Sequence, residues 1–201
     1  MQAKLSRRSF LLGSALTTAG ATMMKAASSF ATGDLQGKDP QSVGPEAVAI
    51  SLDVNGESHK LFVEPRMTLA EALRGPLGLT GTKIGCNRGA CSACTVWLEG
   101  LPVCSCMMLA IEVGERHITT IEGLARTGEL HPVQSAFIEH DALQCGFCTP
   151  GMVMSCAALI ERVAHPTAEQ VQAAISGHVC RCGTYPHVIT ATLAAAKARR
   201  G

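Results

Sequence analysis

An α+β fold is predicted, with a small mixed sheet in the first half of the chain and helices in the second. Up to about residue 120, short apolar segments alternate with a period of two, which is typical of strands. After Ile121 the apolar period lengthens to about 3.6 residues, which indicates helices that pack through one face. Turn residues separate the segments, so each element can be placed in order.

The sheet is expected to begin with a hairpin and to carry one helix. Asn55-Gly56 is a strong signal for a two-residue hairpin turn, because both positions of such a turn need a positive φ. Thr68 can cap a helix over residues 69–74, which Gly75-Pro76 would end. Strands are predicted at residues 47–54, 58–63, 95–98, 103–109 and 117–120.

Four helices are predicted in the second half. Pro150 and Pro186 stand at helix starts, where proline is tolerated because its missing N–H would have no intrahelical acceptor. Thr167 and Gln170 have the spacing of a capping box. The helices are placed at residues 131–140, 150–163, 167–175 and 186–198, and they are expected to form a four-helix bundle.

The N-terminus has the composition of a targeting segment. The pair Arg7 and Arg8 precedes an apolar stretch over residues 10–24, which is too short and too rich in Gly and Thr for a membrane span. Residues 6–11, SRRSFL, resemble the twin-arginine export signal. We therefore assign residues 1–32 to a twin-arginine signal peptide that directs export to the periplasm, and residues 33–45 to a flexible linker.

Composition excludes some classes of protein and raises a question about the cysteines. The 201 residues carry a formal net charge of +1, with no extended basic stripe for a nucleic acid. The 47% hydrophobic content argues against a disordered chain. Ten cysteines indicate disulfides, zinc, or iron with sulfide. Because twin-arginine export moves folded proteins, the signal and the cysteines together favour a metal cofactor.

Four cysteines in the first half have the spacing of a plant-type ferredoxin site, Cys-x4-Cys-x2-Cys with a more distant fourth. Gly85 and Gly89 in this segment let the backbone wrap tightly around sulfur. Cys104 lies two residues before the fourth cysteine, so on a strand it would point to the same face and compete with it. The four, called here the first cysteine set, are Cys86, Cys91, Cys94 and Cys106.

Four further cysteines form two close pairs, each just before a predicted helix. Two helix N-termini would then converge on one anionic metal-sulfur centre, which their dipoles favour. Zinc is the main rival for either set, although zinc ribbons prefer two pairs with gaps of two to four residues. Cys156, inside a helix, is expected to be a small buried hydrophobe, and the seven histidines are expected to be surface or packing residues. The second cysteine set comprises Cys145, Cys148, Cys180 and Cys182.

Three motifs occur in order: GCNRGACSACTV at residues 85–96, LQCGFCTPGM at 143–152 and CRCGTY at 180–185. Together they resemble the iron-sulfur subunit of the xanthine oxidase family of molybdenum hydroxylases. The resemblance covers nearly all of residues 46–195, and the export signal makes it closest in type to the iron-sulfur subunits of periplasmic aldehyde oxidoreductases. Many relatives have Asn-Leu before the last motif where this chain has His178-Val179, so no contact of that Asn is carried over.

The resemblance implies a β-grasp ferredoxin-like domain over residues 46–120 and a helical domain, a four-helix bundle, over residues 121–201. Each domain would hold one 2Fe-2S cluster. The first cysteine set, with Cys106 in preference to Cys104, would hold the distal cluster. The second set would hold the proximal cluster, next to a molybdopterin cofactor on a separate large subunit. Gln144 matches a glutamine that contacts the pterin, and Cys182 matches the cysteine nearest its amino group.

The resemblance further implies that the chain relays electrons and turns over no substrate by itself. Hydroxylation of an aldehyde or an N-heterocycle at molybdenum would supply the electrons. The clusters would pass them singly to an FAD-binding subunit, to a c-type cytochrome or to another acceptor. No catalytic residue is expected in this chain. The alternatives are a free-standing ferredoxin-like carrier and a zinc-stabilised interaction protein.

Overall fold

The computed structural model describes residues 44–125 and 128–199 and has the α+β architecture that the sequence predicts. The predicted signal peptide, residues 1–32, and nearly all of the predicted linker lie outside the described residues. Within the described ranges, five strands and one helix come first and four further helices follow. No helix in these ranges is long and apolar enough to cross a membrane.

Five strands form one mixed sheet. They are β1 (Val48–Val54), β2 (Glu57–Val63), β3 (Thr95–Leu98), β4 (Leu101–Cys104) and β5 (His117–Thr119). Their order in the sheet is β2-β1-β5-β3-β4. The central pair, β1 and β5, is parallel, and the other neighbours are antiparallel. The sheet is therefore mixed, as predicted.

Two tight turns build the hairpins β1–β2 and β3–β4. Asn55 and Gly56 have φ angles of 56° and 85°, and Glu99 and Gly100 have φ angles of 51° and 75°. Positive φ at both central positions matches the twist of paired strands, which confirms the turn predicted at Asn55-Gly56. β1 pairs with β2 along all seven residues.

Helix α1 (Leu69–Arg74) begins where the sequence predicts and packs against the sheet. Thr68 caps it, since its hydroxyl accepts the N–H of Glu71 at 3.2 Å and the Glu71 carboxylate accepts the N–H of Thr68 at 2.9 Å. Leu69 and Leu73 are fully buried. The start of α1 is thereby fixed both by its cap and by the core beneath it.

The predicted strand over residues 103–109 is wrong beyond Cys104, where β4 ends. The chain continues as a 3-10 turn, Ser105–Met107. The strand ends at a contact across the hairpin, where Ser105 donates both its N–H and its hydroxyl to the carbonyl oxygen of Cys94, at 3.3 and 2.7 Å. Cys104 and Cys106 therefore do not share one strand face, and Cys106 is the more buried of the two.

Four helices follow, and each of their ends lies within one residue of its predicted position. They are α2 (Pro132–Glu139), α3 (Thr149–Arg162), α4 (Ala168–Ala174) and α5 (Tyr185–Ala198). The predicted capping box of α4 is confirmed, because the Thr167 hydroxyl accepts the N–H of Gln170 at 3.3 Å. Local capping chemistry is the reason that these ends are predictable from sequence.

Helix α3 is the most buried helix among the described residues, with residues 151–160 all buried. It packs against α2, α4 and α5 on one side and against β3 on another. Phe137, Met152 and Val188 are fully buried in the core that these helices share. Alanines such as Ala157 and Ala191 let the helices approach closely, so this core needs few aromatic rings.

Candidate metal centres

The first cysteine set lies in the loop between α1 and β3 and in the turn that follows β4. Three backbone N–H groups of the loop donate to its sulfur atoms. Arg88 and Ala90 donate to Cys86 Sγ at 3.4 and 3.2 Å. Gly89 donates to Cys106 Sγ at 3.3 Å, with a φ of 71° that favours glycine at this position. One loop thus directs N–H donors at a sulfur within the loop, that of Cys86, and at a sulfur in the turn after β4, that of Cys106.

The thiols of the first set affect one another's ionisation. The Cys91 thiol helps to lower the pKa of Cys86, and the Cys94 thiol helps to raise the pKa of Cys106. The backbone N–H of Arg88 is the main cause that lowers the pKa of Cys86 to about 7. Burial raises the pKa of Cys106 to about 11. A bound cation would be needed to hold all four sulfurs as thiolates near neutral pH.

The two cysteines outside the sets have other surroundings. The sulfur of Cys104 lies 3.8 Å from the hydroxyl of Ser92, whereas the Gly89 N–H is directed at Cys106. Cys156 is fully buried inside α3, as expected, and burial raises its pKa to about 12. All ten cysteines lie in the described residues and carry free thiols.

The second cysteine set lies in two loops, one before α3 and one before α5. Cys148 is the residue at which α3 begins, and its sulfur is hydrogen-bonded to Cys180 from the other loop. Burial, together with the neighbouring sulfurs of Cys180 and Cys145, raises the pKa of Cys148 to about 12. Cys182 is half-buried and follows Cys180 in the same loop. Cys148 and Cys180 therefore bring the loops before α3 and α5 together, and the assignment of all four cysteines to one cluster stays a prediction.

Cys180 has the most elaborate hydrogen bonding of the second set. Burial raises the pKa of its thiol, but hydrogen bonds from the Thr184 side chain and backbone, and from Cys148, outweigh burial and lower the pKa to about 7. Its backbone N–H donates to the Tyr185 hydroxyl at 2.8 Å. That hydroxyl in turn donates to the carbonyl oxygen of His178 at 2.9 Å. Tyr185 therefore holds the loop in a fixed curve.

The two cysteine sets lie side by side. The N–H of Val179, the residue before Cys180, donates to the carbonyl oxygen of Cys91 at 3.2 Å. Gly151 in α3 allows this approach, because a Cβ atom at that position would lie 2.5 Å from the carbonyl oxygen of Ser92. The loop that carries Cys180 and the loop that carries Cys91 therefore contact each other through main-chain atoms.

The donor chemistry of both sets fits iron-sulfur clusters. Each set provides four thiols, and N–H or O–H donors are directed at sulfur in both. In the described part of the chain, no three Cys, His, Asp or Glu side chains are grouped to hold a single metal ion. A structural zinc site places four ligands around one ion, whereas a 2Fe-2S cluster divides four cysteines between two irons.

Comparisons with known proteins agree with this chemistry. A family model described as a 2Fe-2S iron-sulfur cluster binding domain matches residues 52–123. A second, described as a 2Fe-2S binding domain, matches residues 120–193. The aldehyde oxidoreductase iron-sulfur-binding subunit PaoA of Escherichia coli is 37% identical over 203 residues, which cover 93% of this chain and 86% of that protein. The chain belongs to the iron-sulfur subunits of the molybdenum hydroxylase family.

Other members of the family resemble the chain over the same region. The nicotinate dehydrogenase small FeS subunit of Eubacterium barkeri is 44% identical over 138 residues, covering 69% of this chain and 88% of that protein. Among solved structures, quinoline 2-oxidoreductase from Pseudomonas putida 86 has a TM-score of 0.74 at 43% identity, covering 78% of this chain and 98% of the matched chain. Aldehyde oxidoreductase from Desulfovibrio gigas has a TM-score of 0.72 at 38% identity, covering 77% of this chain and 17% of that much longer one.

Membership of this family confirms two predictions from the sequence. The chain is a subunit of an oxidoreductase, and its part in the complex is electron transfer. The residues that the resemblance assigned to the pterin differ in exposure: Gln144 is exposed beside the exposed Cys145, and Cys182 is half-buried.

The structure also reveals polar contacts around the second set that the sequence did not predict. His178 is 5% exposed, and its Nε2 lies 2.7 Å from the Ser155 hydroxyl. Burial lowers the pKa of His178 to about 4. Thr184 and Tyr185 lie within the CRCGTY motif, and this position indicates that they lie near the cysteines. Their hydrogen bonds depend on how the loop folds, which the sequence does not predict.

Proposed function

We propose that the chain is the electron-relay subunit of a molybdopterin-dependent hydroxylase, with one 2Fe-2S cluster bound by each cysteine set. The observation that carries the proposal is the hydrogen bond from Val179 to Cys91. This bond joins the backbone of the loop that carries Cys180 to the backbone of the loop that carries Cys91. A relay requires two redox groups that lie close to each other, and this contact brings the two cysteine sets close. An aldehyde is the proposed substrate of the complex, since PaoA belongs to an aldehyde oxidoreductase. An N-heterocycle is the alternative, given the nicotinate and quinoline relatives.

The residues of this chain hold and tune the redox groups. Bound 2Fe-2S clusters would supply one-electron steps, which separate an electron pair released at molybdenum into single transfers. The N–H groups of Arg88, Gly89 and Ala90 stabilise negative charge on the sulfur atoms of the first set. The buried Cys106 and Cys148 limit the access of water to each set.

The fold is proposed to be a β-grasp ferredoxin-like domain over residues 46–120 and a four-helix bundle over residues 121–201. Support for the first comes from the mixed sheet with α1 packed against it. Support for the second comes from the contacts of α3 with α2, α4 and α5. The two family models also meet near residue 120, at residues 120–123.

A large molybdopterin-binding subunit is the proposed partner, and the second cysteine set is the proposed side of contact. Three large apolar side chains beside this set, Leu143, Phe147 and Val179, are 39%, 48% and 60% exposed. Such exposure next to a cofactor site is typical of a surface that a partner covers. Gln144 and Cys182 are the residues proposed to contact the molybdopterin, and Gln144 is exposed as that contact requires.

The decisive experiment is purification of the native complex followed by analysis of its metals and subunits. We expect about four iron and about four acid-labile sulfides per copy of this chain, from two 2Fe-2S clusters. After reduction, two distinct EPR signals should appear. A large subunit that carries molybdenum should copurify.

Two outcomes of this experiment contradict the proposal. Colourless protein with zinc and no iron would identify a zinc-stabilised interaction protein. Two clusters in a monomer that never copurifies with a large subunit would identify a free-standing carrier. The same preparation identifies the electron acceptor, which we propose to be an FAD-binding subunit or a c-type cytochrome.

Export to the periplasm by the twin-arginine pathway is also proposed, on the sequence of residues 6–11. Replacement of the arginine pair in the variant Arg7→Lys, Arg8→Lys should retain the chain in the cytoplasm. Cell fractionation with and without an active twin-arginine pathway measures this. Unchanged periplasmic location in both tests would contradict the proposal.

A further inference from the structure

Thr184 lies at the N-cap position of a helix, but its side chain does not cap the helix. Its backbone stands at the N-cap of α5, a position where a threonine hydroxyl usually accepts a backbone N–H of the first turn. The side chain makes no such bond. Its Oγ1 lies instead 3.3 Å from the sulfur of Cys180. Thr184 is also buried, with 3% of its surface exposed.

The direction of this hydrogen bond is fixed when Cys180 is a metal ligand. A ligating cysteine is a thiolate, so its sulfur has no proton to donate and the Thr184 hydroxyl must be the donor. The backbone N–H of Cys180 is directed to the Tyr185 hydroxyl at 2.8 Å and is not available to sulfur. The buried hydroxyl of Thr184 therefore adds a charge-assisted donor to the backbone donors of Cys182 and Thr184 at the same sulfur.

A donor at a cluster sulfur affects the two oxidation states unequally. Reduction adds one negative charge, which the four ligating sulfurs share in part. A hydroxyl dipole aimed at one of them stabilises the reduced form more than the oxidised form, and burial strengthens the effect. Hydrogen bonds to sulfur are for this reason one of the means by which a protein raises a cluster's reduction potential.

We propose that Thr184 is a positioning residue whose hydroxyl donates to Cys180 Sγ and raises the reduction potential of the cluster held by the second cysteine set. The inference rests on the proposed function, because it requires a cluster at that set.

The test uses the intact complex and the variant Thr184→Val, which removes the hydroxyl and keeps the branched shape. The midpoint potentials of the two EPR signals are measured by redox titration. We expect one potential to become more negative, with a decrease of about tenfold in the equilibrium constant for reduction, which is about 59 mV for one electron. The other potential should not change. Thr184→Ser, which keeps the donor, should retain the original value.

Thr192→Val is the matched control. Thr192 is fully buried in the same helix, and its hydroxyl donates to the carbonyl oxygen of Val188 at 2.7 Å, away from both cysteine sets. Both potentials should be unchanged in this variant. If valine at position 184 prevents cluster assembly, Thr184→Ala is titrated instead and must show the same negative shift.

The possible results separate the two proposals. Two EPR signals whose potentials are the same in Thr184→Val and in the parent complex would overturn the role of Thr184 and leave the proposed function intact. Equal shifts of both potentials, or a shift in Thr192→Val of the same size, would also overturn it. A parent complex without iron signals would instead contradict the proposed function.

Discussion

The N–H of Val179 donates a hydrogen bond to the carbonyl oxygen of Cys91 across 3.2 Å. One residue belongs to the helical half and the other to the loop that precedes β3. Because the bond joins backbone atoms, it depends on how closely the two loops approach and not on which side chains they carry. The contacts that set this approach should therefore be sensitive to small changes in volume.

Gly151→Ala is expected to destabilise the protein. The new Cβ would lie 2.5 Å from the carbonyl oxygen of Ser92 and 3.2 Å from that of Ala93, and neither backbone atom can move without shifting the loop. Overpacking of this kind costs about 1–3 kcal/mol. We expect a decrease of about 3–9 °C in the thermal unfolding midpoint, measured by circular dichroism.

Gly177→Ala is the control for this substitution. Its Cβ would meet only the Ser92 hydroxyl, at 3.1 Å, and a hydroxyl can rotate away. A Gly151→Ala midpoint equal to that of Gly177→Ala would show that the loops have room to separate.

The fourth ligand of the first set is expected to be Cys106. Cys106→Ser should remove one of the two EPR signals of the reduced protein, because the Gly89 N–H and the turn after β4 aim this sulfur at the set. Cys104→Ser is the matched variant two residues away and should keep both signals. Loss of a signal in Cys104→Ser, with both signals kept in Cys106→Ser, would reverse the assignment.

Ser155→Ala is expected to destabilise the helical half through His178. The substitution leaves the buried Nε2 without its 2.7 Å partner, and Nδ1 already has none among the described residues. An unsatisfied buried polar atom costs about 1–3 kcal/mol. The thermal midpoint should therefore decrease, whereas Ser176→Ala, at an exposed serine, should leave it unchanged. Equal midpoints for both variants would mean that His178 needs no partner at this position.

Trp97→Phe is expected to loosen the contact between β3 and α3. The indole N–H of Trp97 donates to the carbonyl oxygen of Met154 at 2.8 Å, and phenylalanine removes this donor together with part of the ring area. Loss of one such bond costs about 1 kcal/mol. The chemical unfolding midpoint by circular dichroism should decrease, and that of Phe62→Leu, at a residue 79% exposed, should not. A decrease in both variants alike would assign the effect to lost aromatic area.

Local signals made most of the fold predictable. The capping boxes at Thr68 and Thr167 and the turn at Asn55 are encoded within four residues, so the element ends that depend on them follow from sequence. The strand predicted over residues 103–109 is wrong beyond Cys104, because the contact of Ser105 with Cys94 across the hairpin ends it early. Sequence periodicity carries no information about such contacts.

The candidate sites were predictable to the level of cysteine spacing and no further. The structure brings Cys106 towards Cys94 and Cys148 towards Cys180, as the spacing predicts, and the assignment of all eight cysteines as cluster ligands stays a prediction. The partners of His178 and Thr184 depend on which faces of α3 and α5 are turned inward, and tertiary packing decides that. Thr184 is the clearest example, because its position predicts a helix cap while its hydroxyl is directed at sulfur.

The close approach at Gly151 also limits how the two halves can be exchanged between relatives. Ser92 and Ala93 present their carbonyl oxygens to this glycine, so each half is shaped to the other at the level of main-chain atoms. A chimaera that joins the sheet of one relative to the helices of another would have to reproduce this fit to within a few tenths of an ångström. The two halves match separate family models, yet neither can change its backbone at this point without a matching change in the other.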